Sequence, residues 1–207
     1  MKKCFVFAGG FYDGFYDEIE KGDLLIGADR GYEYIFKENL KADYIIGDFD
    51  SAEKPNFDRK IVLPKEKDMT DSFAAVDLAY KKGYRKVILY GGLGGRISHS
   101  MANIKIAHYF KKKGLDLIIK NKNQRLFVID GNFKEQKYID NLYVSLFSLS
   151  GDIKNLSLKN LKYELNNYYL NSFDHIGVSN ETTGKAFEIS FDNGYLLVIY
   201  EKKNTYL

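Results

Sequence analysis

The chain has one cysteine, no tryptophan, little net charge and no long apolar run. The single cysteine, Cys4, excludes an internal disulfide and fits a reducing, cytoplasmic setting. No apolar stretch approaches the roughly 20 residues that a membrane helix needs, so no membrane partner is expected. "MKKCFVFAGGFYDGF" reads as a first strand entering a glycine turn rather than as a signal peptide, because acidic residues follow at once. A net charge of +3 is too small to imply nucleic acid without a clustered basic face. The richest basic run, "YFKKKG" (Tyr109 to Gly114), ends a predicted helix, where lysines complement the helix dipole. What is present is an ordinary soluble balance over 207 residues, 45% hydrophobic and 29% charged, enough for one large domain or two small ones.

Residues 1–121 alternate apolar runs with helical patterns. "KCFVFAGG", "DLLIGAD", "DYIIGD", "KIVLP", "KVILYGG" and "DLIIK" read as strands. "RGYEYIFKENL", "DSFAAVDLAYKKG" and "SHSMANIKIAHYFKKKG" read as helices. This alternation argues for a mostly parallel α/β sheet flanked by helices, a Rossmann-like three-layer fold. Its nearly continuous apolar runs suit strands buried on both faces. Residues 122–207 carry no convincing helix and read as a small antiparallel β-sandwich. In "KAFEISFDNGYLLVIYEK" the alternation of Phe187, Ile189 and Phe191, the turn "DNG" and the returning "YLLVIY" predict a hairpin.

Four polar or glycine-rich segments fall at predicted strand ends or helix starts, where open α/β sheets bind ligands. In "GADRG", Asp29 reads as a helix cap or as a site carboxylate. In "GDFDS", Asp48 and Asp50 on an extended segment share one side about 7 Å apart, with Phe49 facing the core. Two such carboxylates form a solvated acidic turn or hold a hard cation. In "PKEKDMTDS", Asp68, Thr70 and Asp71 open a predicted helix beside Lys65 and Lys67. They form an ordinary acidic first turn or a phosphate site. In "YGGLGGRISHS", four glycines free the backbone for close approach and Arg96 adds a planar, permanently charged fork. His99 and Ser100 open the next helix. Neither the dinucleotide fingerprint nor a Walker loop is present. Carboxylates for metal, with arginine and free amides for phosphate, make up the general kit of phosphoryl-type transfer.

"GADRG", "GDFDS", "EKDMTD" and "GGLGGRISH", in this order and spacing, resemble the thiamine pyrophosphokinase family. "VSLFSLSG", "LKNLKYELN" and "GVSNE" resemble its C-terminal segments more loosely. The resemblance implies an α/β catalytic domain, a β-sandwich that helps to bind thiamine, and a homodimer with active sites between subunits. It implies transfer of pyrophosphate from ATP to the thiamine hydroxyl with Mg²⁺, giving thiamine diphosphate and AMP. By matching position it makes Asp48, Asp50 and Asp71 the metal carboxylates, with Asp29 and Asp68 in support. It places Ser51, Lys67, Thr70, Gly92, Gly94, Gly95, Arg96 and His99 around ATP phosphates, and Tyr163, Ser179 and Asn180 near thiamine.

Two departures stand out. Ser98 occupies a position where the family commonly carries aspartate, so only an uncharged hydrogen bond is available there. Tyr163 stands where relatives can place an aromatic on the thiamine pyrimidine. It reads either as that stacking ring or as a strand tyrosine packing the sandwich. The competing functions are a pyrophosphokinase for another hydroxymethyl-bearing ring such as a reduced pterin, and a non-catalytic nucleotide or thiamine sensor. A nicotinamide-dependent oxidoreductase is a third, which the missing fingerprint opposes.

Overall fold

The structure is a computed structural model. It describes residues 2–49, 57–64, 66, 68–137 and 139–203. The chain divides into two compact units, Met1–Lys122 and Asn123–Leu207.

The first unit contains β1 (Cys4–Phe7), β2 (Leu24–Ala28), α1 (Gly31–Lys37), β3 (Tyr44–Gly47), β4 (Lys60–Val62), α2 (Asp71–Lys81), β5 (Lys86–Tyr90), α3 (Ile97–Lys111) and β6 (Asp116–Lys120). Its strands run parallel in the order β6-β5-β1-β2-β3-β4. Strand alternation sends Phe5 and Phe7 toward α1, where they join Ile35, Ile45, Phe49, Ile88 and Tyr90 in one apolar cluster. Cys4 and Val6, also fully buried, point by the same alternation to the opposite face. There α2 packs on β1, β2 and β3, and α3 packs on β6. Phe73 and Tyr80 of α2 meet Phe110 of α3 at ring-centre distances of 5.4 and 5.9 Å. The expected three-layer α/β arrangement is therefore present. α3 opens at Ile97, one residue before the expected helix "SHSMANIKIAHYFKKKG" begins at Ser98.

The chain builds β1 to β4 outward in one direction, then returns to lay β5 on the other side of β1. The switch point thus lies between β1 and β5, where a crevice opens at the carboxyl ends of the strands.

"GDFDS" corrects one expectation. Phe49 is not extended: its φ is +53°, in the left-handed region that bulky residues rarely adopt. Its ring is nevertheless buried as expected, 6.4 Å from that of Tyr32. Core packing of the ring opposes the backbone cost. Regular strand alternation therefore ends at Phe49, and Asp50 lies outside the described residues.

The second unit contains β7 (Gln124–Ile129), β8 (Phe133–Glu135), β9 (Leu142–Ser148), β10 (Ile153–Lys159), β11 (Leu165–Leu170), β12 (Asn180–Glu181), β13 (Phe187–Ser190) and β14 (Leu196–Lys202). Strands β12-β9-β14-β7 lie in one antiparallel arrangement and β11-β10-β13-β8 in another. Phe127 and Tyr200 from the first meet Phe133 and Phe187 from the second, with centroids 5.3 to 6.0 Å apart. These rings form the sandwich core.

The predicted β13–β14 hairpin does not form. β13 pairs with β10 and β8, whereas β14 pairs with β7 and β9. Both edges of each strand are taken, so neither can accept the other. The turn is real but crosses between sheets. Asp192 accepts from the Asn155 amide (2.6 Å) and the Asn193 side chain from the Lys154 N–H (3.1 Å). Those bonds tie the turn to β10 instead of folding β14 back on β13.

Candidate active site

A cavity of about 370 Å³ sits at the switch point of the first unit. Its walls are the turn after β1 (Ala8, Gly9, Gly10), the end of β2 and the residue after it (Ala28, Asp29), the start of α2 (Thr70, Asp71, Ser72), the glycine loop after β5 (Gly91, Gly92, Gly94, Gly95), Arg96 at the cap of α3, and His99 and Asn103 of that helix. A second cavity of about 470 Å³ is lined by Lys41, Ala42, Asp43, Phe57, Asp58 and Arg59, which immediately precede β3 and β4. That is the wrong end of a parallel sheet for a ligand, and the Asp43 carboxylate already accepts the Leu25 N–H at 2.9 Å.

The two glycine turns interlock. The Gly10 N–H donates to the Gly91 carbonyl at 3.0 Å, and the Ala8 N–H to the Tyr90 carbonyl at 2.8 Å. A Cβ on Gly10 would fall 2.4 Å from the Gly91 oxygen, so any side chain there would push the turns apart. Gly91 has φ +65°, and a Cβ on it would stand 2.2 Å from the Ala8 oxygen. Tyr34 of α1 donates its hydroxyl to the Gly10 carbonyl (2.9 Å). Asn103 of α3, only 5% exposed, donates its amide to the Gly92 carbonyl (2.8 Å). With these carbonyls bonded from behind, the exposed Gly94 and Gly95 backbone is free to meet an anion. Arg96 sits at the cap position of α3 with extended backbone, and His99 and Asn103, four residues apart, share one side of that helix.

Acidic groups face this basic, amide-rich wall. Asp29 follows β2 with φ +52° and donates its N–H to the Ile46 carbonyl at 2.7 Å. Burial raises its carboxyl above the ordinary range, and the charges of Asp71 and Asp48 raise it further. The reading of Asp29 as the cap of α1 is not what the structure shows: the cap position is Arg30, which makes no side-chain cap bond. Asp71 is the first residue of α2, where a carboxylate is favoured by the helix dipole. Thr70 caps that helix, its Oγ1 accepting the Phe73 N–H at 3.1 Å. Thr70→Ala is expected to cost about 1 kcal/mol of stability, the usual value of a lost cap; urea unfolding at neutral pH measures it.

Of the expected site residues, the cavity brings together Asp29, Thr70, Asp71, Gly92, Gly94, Gly95, Arg96 and His99. Asp48 couples electrostatically to Asp29 but does not line the cavity. Asp68 is exposed and does not line it either. Asp50, Ser51, Lys65 and Lys67 lie outside the described residues. Among the described residues no three His, Cys, Asp or Glu side chains converge into a complete metal cage. Sequence reasoning missed Gly9, Gly10 and Asn103. "AGG" after the first strand was the available signal for the turn. For Asn103 it was its place four residues after His99 on one helix face. Asn103→Leu, near in size but unable to donate, is expected to cost about 1–3 kcal/mol of stability by leaving the buried Gly92 carbonyl without its donor. Urea unfolding at neutral pH measures this.

In the second unit, Tyr163 lies outside any strand, between β10 and β11, with 60% of its surface exposed. It is not a ring packing the sandwich. Ser179 is exposed with φ +54°. Asn180, by contrast, is buried.

Comparison with known proteins agrees with this architecture. The model of the thiamin pyrophosphokinase catalytic domain matches residues 15–119, and that of the thiamin pyrophosphokinase vitamin B1 binding domain matches residues 132–196. A thiamine pyrophosphokinase of Bacillus subtilis is 29% identical over 184 residues, covering 85% of this chain and 86% of the relative. A crystal structure of thiamine pyrophosphokinase from Bacillus subtilis superposes with a TM-score of 0.89 at 25% identity, over 98% of this chain and all of the other. That of thiamin pyrophosphokinase from Geobacillus thermodenitrificans gives 0.84 at 26% identity, over the whole of both chains. The chain belongs to the thiamin pyrophosphokinase family.

Proposed function

We propose that this protein transfers pyrophosphate from ATP to the primary hydroxyl of thiamine, giving thiamine diphosphate and AMP. One observation carries the reading to the residues: a switch-point cavity that sets glycine turns and Arg96 against the carboxylates of Asp29 and Asp71. Met1–Lys122 is the ATP-binding unit and Asn123–Leu207 the thiamine-binding unit. The active protein is a cytoplasmic homodimer whose active sites form between subunits.

The donor set fits Mg²⁺. Asp29 is raised partly by neighbouring carboxylates, a repulsion that a cation relieves. Mg²⁺ needs only one or two protein carboxylates, completing its shell with water and substrate phosphates. Asp48, Asp50 and Asp71 would hold it, with Asp29 and Asp68 in support. When bound, it neutralises charge developing on phosphate oxygens. The chain's own groups do the rest. The glycine turns and Arg96 hold the polyphosphate and keep it in line, with Thr70 and His99 beside them. The thiamine oxygen bonds to the β-phosphorus as the bond to the α,β-bridging oxygen breaks. AMP leaves with that electron pair, and the hydroxyl proton passes to a carboxylate of the site. A loose transition state asks for positioning and charge stabilisation more than for a strong base.

Purified protein given thiamine and MgATP is expected to form AMP and thiamine diphosphate in equal amounts. ADP with thiamine monophosphate would reject pyrophosphate transfer. Turnover of a reduced pterin in preference to thiamine would reject the acceptor, and binding without AMP release would point to a sensor.

A further inference from the structure

Asn180 is among the few polar side chains buried in the second unit, 3% exposed. Its Oδ1 accepts the N–H groups of Tyr163 (3.0 Å) and Glu181 (2.8 Å). Its Nδ2 donates to the Tyr163 carbonyl at 2.7 Å. One buried amide therefore grips both backbone groups of Tyr163. A primary amide offers two acceptor sites and two donor hydrogens; three of the four are used here, and the fourth belongs to a side chain with almost no exposed surface. Such a group is badly placed to touch a ligand and well placed to fix its neighbour.

The neighbouring bonds serve the same end. The Lys162 N–H donates to the Glu181 carbonyl at 2.9 Å, and the Lys162 ammonium pairs with the Glu181 carboxylate at 2.9 Å. Lys203 pairs with the same carboxylate at 2.7 Å. Ser145 of β9, also buried, accepts the Ser179 N–H at 2.9 Å and so holds Ser179 in its left-handed conformation. What these bonds leave outside is the Tyr163 ring. The Lys162 ammonium sits 5.3 Å from its centre, and with 60% of Tyr163 exposed the ring has surface to offer a flat ligand. A ring whose backbone is already fixed loses only side-chain freedom on binding.

We infer that Asn180 is a positioning residue which acts on the acceptor through Tyr163 and does not touch it. The inference rests on the thiamine reading above, because it takes the ligand of Tyr163 to be a flat heteroaromatic ring. The test is a double-mutant cycle. Asn180→Ala is expected to raise the KM for thiamine about tenfold, the range of a few lost buried hydrogen bonds, with the KM for ATP unchanged. Asn180→Asp keeps both acceptor bonds and should fall between the two. Tyr163→Ala should raise the thiamine KM at least as much. In the Tyr163→Ala background, Asn180→Ala should change it less than about twofold. A full tenfold effect in that background would mean that Asn180 contacts the acceptor itself and would overturn the proposal. So would an Asn180→Ala variant with a lowered Tm and an unchanged thiamine KM. Calorimetry with thiamine alone separates the two levels. Wild-type protein that binds thiamine but releases no AMP defeats the reaction only, and the cycle then reads Kd. Wild-type protein that binds no thiamine defeats both.

Discussion

Asp71→Asn is expected to lower the rate of thiamine diphosphate formation about 10²- to 10³-fold, the range seen when one charge-stabilising group is removed from an active site. Asp71 lines the cavity together with Arg96 and the glycine loop. Its charge is felt by Asp29, so it belongs to the acidic side of the site. Asparagine keeps the shape and removes the charge. Stability should barely move, because two effects oppose. Losing a carboxylate from the first turn of α2 costs about 0.3–1 kcal/mol of dipole interaction. Losing its repulsion of Asp29 acts in the opposite direction. Activity and thermal unfolding measured on one preparation check both halves. Near-normal turnover with an unchanged Tm would remove Asp71 from the site.

The first unit was legible in the sequence for a physical reason. Strands buried on both faces need continuous apolar runs, and runs such as "CFVF" and "KVILY" bounded by glycine have few other uses. Its topology was not spelled out by any single run, yet polar and glycine-rich segments at successive strand ends pointed to one edge of the sheet. The pairing of β13 with β10 and β8 was not legible. Alternation and "DNG" identify two strands and a turn, but the choice of partner depends on β7, β9 and β10, distant in sequence. Phe49 failed for a related reason. Its burial follows from its apolarity, while its left-handed backbone follows from the packing around it. Asn103 and Asn180 mark the limit of motif reading. Each acts through its amide on a backbone carbonyl 11 or 17 residues away, a relation that exists only once the chain has folded.

Asp29→Asn is expected to move activity and stability in opposite directions: about 10²-fold lower turnover, and a higher Tm at neutral pH. Asparagine tolerates the left-handed region, so the φ of +52° at this position is no obstacle. Its side-chain oxygen can still accept the bond that the Asp29 carboxylate takes from the Arg30 N–H. The charge is what changes. Burial first, then Asp71 and Asp48, raise the Asp29 carboxyl. A raised carboxyl binds its proton more tightly in the folded state than in the unfolded chain. The stability linked to that proton is present below the unfolded pKa and is lost as pH rises through the folded one. At pH 7 the ionised group therefore opposes folding. Asparagine removes that opposition, and a rise in Tm of about 2–4 °C would correspond to about 1 kcal/mol in a chain of this size. The gain should fade as pH falls through the raised folded pKa and be gone below about pH 4, where aspartate is protonated in both states. A variant with a lower Tm at pH 7 would mean that Asp29 is held ionised by donors strong enough to overcome its burial. A gain that persisted at low pH would trace the effect to backbone preference and not to charge.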